Sequence, residues 1–323
     1  MAMTVIRFNL VDPEPAAGSL ADRYGTALEM AAYADQHGVD TIQTEEHHGA
    51  ANNWMPAPLP FAGAVLGATR RTTVTISAVL GPLYDPLRLA EDISVLDLVS
   101  RGRLVTVVGV GYRPEEYAAL GVDFKQRGTL QDELLDTLLA AWTGEEFTYR
   151  GRAVRITPRP HTRPHPLLIV GGASKPAARR AARLGLPFFP SAHLPELEAY
   201  YHRMRGEYGT NGYCMMPAAR TPLLHISPDP DETWARYGAH FLHEARTYAS
   251  WQSDETHSAV ESAAGDVSEL RAEGVYQVLT PDEAVAAGLS TYVLHPLCGG
   301  MPLDEGWRSI RLFFDRVLPR LAS

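Results

Sequence analysis

The densest run of titratable side chains is Thr44-Glu45-Glu46-His47-His48. An imidazole beside a carboxylate suits proton transfer, because the carboxylate fixes the ring's tautomer and raises its basicity. The same residues could bind a divalent metal, or form a solvated polar loop. Further along stand two glycine-containing segments, Gly109-Val110-Gly111-Tyr112-Arg113 and Gly171-Gly172-Ala173-Ser174-Lys175-Pro176. Glycine lets the backbone approach a ligand closely. In the second segment Pro176 suits a first helical turn, Ser174 offers a hydroxyl, and the amides of a helix start attract an anion, so a phosphate seat is expected there. Ser77-Ala78-Val79-Leu80-Gly81-Pro82 is small and apolar, suited to lie beneath a flat ring or simply to fill a core.

Each of these segments directly follows a stretch that reads as a strand. Short runs rich in β-branched residues occur at 5–10, 39–43, 73–79, 104–108, 167–170, 186–189, 222–227 and 291–297. Segments of helical period lie between and after them, at 24–37, 58–69, 87–99, 131–142, 176–184, 196–208, 231–250 and 303–318. The pattern predicts an α/β fold, one (β/α)8 TIM barrel spanning residues 1–323, whose functional residues stand just beyond the strand ends. Residues 147–156, around Arg150-Gly151, read as a hairpin outside the barrel, and 209–220 as a loop. Residues 251–287 carry no strand signal and read as an insertion on the substrate side. The five tryptophans, Trp54, Trp142, Trp234, Trp251 and Trp307, read as packing residues.

Composition narrows the function classes. With 29 Lys+Arg against 38 Asp+Glu, the net charge is −9, which argues against a nucleic-acid surface, since such binding needs clustered cations. No stretch approaches the ~18 apolar residues of a membrane span. The opening MAMTVIRFNLVDPEP reads as a first strand and not a signal peptide. Cys214 and Cys298, the 2 cysteines, lie outside any CxxC pair and read as free thiols. The expectation is a cytoplasmic protein with a small ligand.

Several segments together resemble the bacterial luciferase-like family of flavin-dependent monooxygenases. They are EEHH at 45–48, TTVTISAVLGPLYDPLRLAEDISVLDLVSRGRL at 72–104, GVGYRPEEYAALGV at 109–122, LLIVGGASKPAARRAARLG at 167–185 and LHPLCGGMPLDEGWRSIRLFFDRVLP at 294–319. The resemblance fades between residues 208 and 290. It implies a barrel that binds reduced flavin mononucleotide (FMN) supplied by a separate flavin reductase. Dioxygen would then form a flavin C4a-peroxide that oxygenates a small organic substrate in a dry pocket. It also implies a homodimer.

Matched residue by residue, His47 corresponds to the family's catalytic histidine, with Glu46 and His48 as flanking orienting groups. Ser77-Ala78 falls where the family has a non-prolyl cis peptide under the flavin ring. Gly172, Ala173 and Ser174, with Gly171 beside them, match the turn near the flavin phosphate, and Gly111 with Tyr112 match the loop on its other side. Val110 stands where luciferase has an arginine for that phosphate, leaving Arg113 or Lys175 to supply the charge. Three alternatives remain open. One is a 5-deazaflavin-dependent dehydrogenase or reductase on the same barrel. Another is a metal-dependent hydrolase using Glu45, Glu46, His47 and His48, with His295 as a further ligand. The third is a flavin binder without turnover. Tyr213, Met215 and Met216, with the 251–287 segment, are expected to shape the substrate pocket.

Overall fold

Proline and small polar residues mark where the helices of this chain begin, and β-branched runs fill the strands between them. The structure, a computed structural model, describes residues 2–16, 19–252, 260 and 262–321. From the N-terminus, β1 (Met3–Phe8) leads to α1 (Ser19–His37) and β2 (Thr41–Thr44). Next come α2 (Pro58–Ala68), β3 (Thr73–Leu80), α3 (Pro86–Ser100), β4 (Leu104–Gly109), the short α4 (Pro114–Ala119) and α5 (Arg127–Trp142). A hairpin of β5 (Phe147–Tyr149) and β6 (Arg152–Val154) precedes β7 (Leu167–Gly171), α6 (Lys175–Leu184), β8 (Phe188–Phe189) and α7 (Pro195–Tyr208). The remainder is β9 (Leu223–Ile226), α8 (Pro230–Trp251), α9 (Val267–Glu273), β10 (Tyr276–Leu279), α10 (Pro281–Ala286), β11 (Thr291–Leu294), α11 (Leu303–Leu312) and α12 (Leu318–Leu321).

Caps explain several of these boundaries. Asp85, Ser174 and Asp229 accept hydrogen bonds from first-turn amides of α3, α6 and α8, and each is followed by proline in the first turn. Gly185 and Gly209 end α6 and α7 with positive φ.

The chain divides into two compact units. The first comprises residues 1–56, 68–72 and 218–323; its strands lie in the order β10-β9-β11-β1-β2, all parallel. The register sets Arg7 opposite Gln43 and Phe8 opposite Thr44, so residues just after β2 stand beside the end of β1. Trp234, Phe241, Leu270, Tyr276, Val278 and Met301 form a buried core in this unit, each side chain stabilising by ~1.5–3 kcal/mol. The second unit, residues 57–67 and 73–217, holds parallel strands in the order β3-β4-β7-β8. Here Trp142 Nε1 donates to the Ala90 carbonyl at 3.1 Å, joining α5 to α3, and Arg180 pairs with Asp132 at 2.6 Å, joining α6 to α5.

Two expectations need correction. The described residues contain nine parallel strands, not eight, because β10 lies inside the 251–287 segment and pairs with β9 from Tyr276 opposite Leu223. Its four residues between Gly274 and the Thr280-Pro281 turn are too short a run for periodicity to register. The rest of that segment includes α9 and α10, while residues 253–259 and 261 lie outside the described residues. The expected helix at 303–318 is interrupted by a π-helical turn at Phe313–Val317, which the apolar period does not distinguish. Helix α4 was not anticipated. The hairpin at 147–156 is present, and both cysteines are free thiols. No helix among the described residues is long and apolar enough to cross a membrane.

Candidate functional site

Parallel pairing of β1 with β2 carries the EEHH run to the end of β1. Glu45 turns to Arg7, which donates from Nε to Oε1 at 2.7 Å and from Nη2 to Oε2 at 3.1 Å. Glu46 Oε1 lies 2.8 Å from His48 Nε2. His47 is buried, at 6% exposure, among aromatic rings: Trp54 edge-on at 5.3 Å between centroids, Trp251 at 4.7 Å and Tyr248 at 6.2 Å. The His47 amide donates to the Met55 carbonyl at 3.2 Å and the Met55 amide to the Asn9 carbonyl at 3.0 Å, which laces this loop to the segment after β1. Asn52 Nδ2 donates to His243 Nε2 at 3.0 Å, fixing the same loop to α8. Burial lowers the pKa of His243 and so favours the neutral ring that can accept this bond. The indole N–H of Trp54 is buried without a hydrogen-bond partner among the described residues.

Behind this loop sits a carboxylate that motif reading did not single out. Glu244 of α8 receives hydrogen bonds from Arg7 Nη1 (3.3 Å), Asn9 Nδ2 (2.8 Å), Tyr276 Oη (3.3 Å), His295 Nε2 (2.9 Å) and Cys298 Sγ (3.3 Å). Burial alone would raise its pKa; His295, Arg7 and the donated bonds outweigh that and hold the carboxyl below its ordinary range. Burial, together with Glu244, pushes the Cys298 thiol and the Tyr276 phenol up, keeping both protonated as donors. Glu244, His295 and Cys298 are the one group among the described residues close enough to share a metal ion. The Arg7 cation on the same carboxylate competes with such an ion, so the cluster is better described as donors converging on a buried anion. A second buried pair, His225 Nε2 to Glu305 Oε1 at 3.2 Å, holds β9 to α11, and the bond from His225 lowers the Glu305 carboxyl.

The glycine turns belong to the second unit. After β7, Gly172 has φ +139°, and a Cβ there would stand 3.1 Å from Ala177 Cβ; at Gly171 it would meet Val107 at 2.9 Å. Both positions therefore admit only glycine without displacement of a neighbour. Ser174 Oγ caps α6, accepting from the Ala177 amide at 3.4 Å, so its hydroxyl is partly committed to the helix. Lys175 Nζ lies over the Tyr200 ring at 5.8 Å. After β4, Gly111 has φ +66° and is followed by Tyr112. Arg113 donates to Glu116 Oε1 at 3.0 Å with its side chain 10% exposed, so its charge is already paired. The Ser77–Ala78 peptide is cis, as expected, at a register shift where Ser77 faces Val107 and Val79 faces Val108. On β4 the Thr106 hydroxyl is buried with no partner among the described residues. Of the loop residues expected to shape a pocket, Tyr213 and Met215 are largely exposed, and Met216 Sδ lies 3.3 Å from the Leu194 amide.

Known proteins place this geometry in a family. The model of luciferase-like monooxygenases matches residues 1–293, and the chain belongs to that family. It is 26% identical to the alkanal monooxygenase beta chain of Vibrio harveyi over 276 residues, 80% of this chain and 81% of that protein. The chain spans about half the length of two other curated relatives. One is an uncharacterised Sinorhizobium fredii protein, 32% identical over 177 residues, 53% of this chain and 50% of its own. Another is the FMNH2-dependent dimethylsulfone monooxygenase of Pseudomonas putida, 25% identical over 189 residues, 56% and 51%. Among solved structures, the monooxygenase RslO1 from Streptomyces bottropensis superposes with a TM-score of 0.77 at 27% identity, over 98% of this chain and 99% of that one. An F420-dependent secondary alcohol dehydrogenase, at 16% identity, TM-score 0.67 and 99% of both chains, shares the fold alone. The fold class is thus the α/β TIM barrel of luciferase-like enzymes.

Proposed function

We propose that this chain, read as one catalytic domain over residues 1–323, is the oxygenase component of a two-component flavin monooxygenase. It would accept reduced FMN from a separate reductase and use dioxygen to oxygenate a small organic substrate. The observation that carries this reading is His47, a buried strand-end histidine enclosed by Trp54, Trp251 and Tyr248. The reduced flavin, when bound, supplies the electrons that activate dioxygen. The aromatic collar excludes water from the imidazole, and His47 holds or moves a proton under that shielding.

The residues of the second unit fit a flavin phosphate. Gly171 and Gly172 leave a cradle that a Cβ would fill, and the first amides of α6 stand behind Ser174. With Arg113 engaged by Glu116, Lys175 is the cation we assign to the phosphate. Gly111, Tyr112 and Ala173 would line the same group, and Ser77-Ala78 the ring. A homodimer is part of the proposal: Val95, Leu98 and Val99 leave apolar side chains exposed along α3, and sedimentation at micromolar concentration would detect the dimer.

Anaerobic titration with reduced FMN and with reduced 5-deazaflavin, followed by oxygen uptake on mixing with air, tests the reading. Tight binding of reduced FMN with flavin-dependent oxygen uptake is expected. Preference for the deazaflavin without oxygen uptake would move the chain to hydride transfer. The metal-dependent hydrolase is disfavoured because Glu45 is held by Arg7 and because, among the described residues, the side chains close enough to share a metal ion are Glu244, His295 and Cys298 and not those of the EEHH run.

A further inference from the structure

Tyr248 belongs to two groups of side chains at once. Its hydroxyl accepts from Arg7 Nη2 at 2.8 Å and donates to Glu45 Oε2 in a short hydrogen bond. Its ring stands edge-on to Trp54 at 4.9 Å and to His47 at 6.2 Å. Glu244, four residues earlier on the same face of α8, receives Arg7 Nη1 at 3.3 Å. Three residues beyond Tyr248, the Trp251 ring lies 4.7 Å from His47. One guanidinium therefore contacts α8 at two successive turns, and the same helix carries two of the rings that stand against His47, those of Tyr248 and Trp251.

We infer that Tyr248 is a positioning residue for His47: its hydroxyl, held between Arg7 and Glu45, fixes the aromatic wall that sets the plane of the imidazole. The inference rests on His47 as the proton-transfer group of the proposed monooxygenase, yet its first test is independent of turnover. A phenol that only filled space could become phenylalanine with little effect, since the ring and its edge contacts would remain. A phenol that sets the helix rotation could not, because its removal takes one buried partner from Arg7 and one from Glu45.

The test uses flavin-free protein with 15N-labelled histidine. Tyr248→Phe is expected to shift and broaden the His47 imidazole resonances, assigned by their loss in His47→Gln, while those of His37 at the end of α1 stay in place. Arg7→Lys keeps the charge but loses the donor to Tyr248, and should move the same resonances, which covers the case in which Tyr248→Phe folds poorly. In the flavin-loaded enzyme Tyr248→Phe should lower kcat about tenfold to a hundredfold with flavin affinity held, the loss expected when a reacting group is slightly misplaced. His47 resonances unchanged in both variants would overturn the inference. Shifted resonances in a protein whose wild type takes up no oxygen with reduced flavin would leave Tyr248 as the support of His47 and remove the monooxygenase reading.

Discussion

Arg7 and Glu45 are 38 positions apart in sequence and form a two-pronged ion pair, Nε to Oε1 at 2.7 Å and Nη2 to Oε2 at 3.1 Å, with both side chains under a tenth exposed. A planar guanidinium matches a carboxylate in this way, and lysine cannot reproduce it. Glu45→Gln keeps the shape and removes the charge, leaving Arg7 with Glu244 as its anionic partner. Leaving a buried charge wholly unpaired costs about 3–5 kcal/mol, and because Glu244 still faces Arg7 the loss here is expected to be smaller than that. Urea denaturation at pH 7 should show a lowered midpoint at unchanged slope; a midpoint within error of wild type would mean that the pair contributes nothing net.

Glu244 gives the pair a pH dependence with a definite sign. Its carboxyl is held below the ordinary range of about 4.3 by His295, Arg7 and the donated bonds, against the burial that alone would raise it. A depressed folded-state pKa contributes stability that is fully present above the unfolded value and is lost as pH falls below it. The stability difference between wild type and Glu244→Gln should therefore be largest near pH 6 and shrink as the pH is taken from about 5 to 3. A difference that stays constant across that interval would show that Glu244 is not the group responsible.

The turn after β7 gives a backbone test. Gly172 sits at φ +139° with Ala177 Cβ 3.1 Å from where a Cβ would be, so Gly172→Ala meets both an unfavourable conformation and a close neighbour. A destabilisation of about 1–3 kcal/mol is expected. If this turn seats the flavin phosphate, affinity for reduced FMN should fall by more than affinity for reduced riboflavin, which lacks the phosphate. Equal losses for both ligands would place the phosphate elsewhere.

Cys214 offers a solvent-side measurement. Burial, with a smaller contribution from Glu198, pushes its thiol up to about 11. The thiolate is the reactive form, so at pH 8 alkylation by iodoacetamide should run roughly a hundredfold slower than for an ordinary thiol, and should accelerate steadily towards pH 11. Rapid modification at pH 8, located at Cys214 by peptide mapping, would contradict that environment.

Much of the fold follows from local pattern alone. The β-branched run of β3, the Asp85-Pro86 start of α3, the Ser174 cap of α6 and the glycine stops at Gly185 and Gly209 are each written in a few adjacent residues. Position at a strand end was enough to single out His47 and the Gly171–Lys175 turn as candidates, whereas Ser77-Ala78, inside β3, was marked by the family resemblance. The tetrapeptide of β10 was missed because four residues carry too little period, and it becomes a strand through its pairing with β9.

The partners of the candidate site are another matter. Sequence order puts Glu46 beside His47, but the fold also brings Glu46 to His48 and Glu45 to Arg7, and sets His47 against the rings of Trp54, Tyr248 and Trp251. Tyr248 and Glu244 lie more than 190 residues from His47 on a helix whose sequence looks ordinary, and Trp54 and Trp251 read equally well as packing. A motif records which chemistry a chain can perform, because residue type and its place after a strand are local properties. Which groups share a charge, a hydrogen bond or an aromatic wall depends on register and helix rotation, and these are decided only when distant elements pack and every buried polar group competes for a partner. The sequence by itself determined the strand-end histidine and the glycine turns; the tertiary structure decided which groups of β1 and α8 meet beside that histidine.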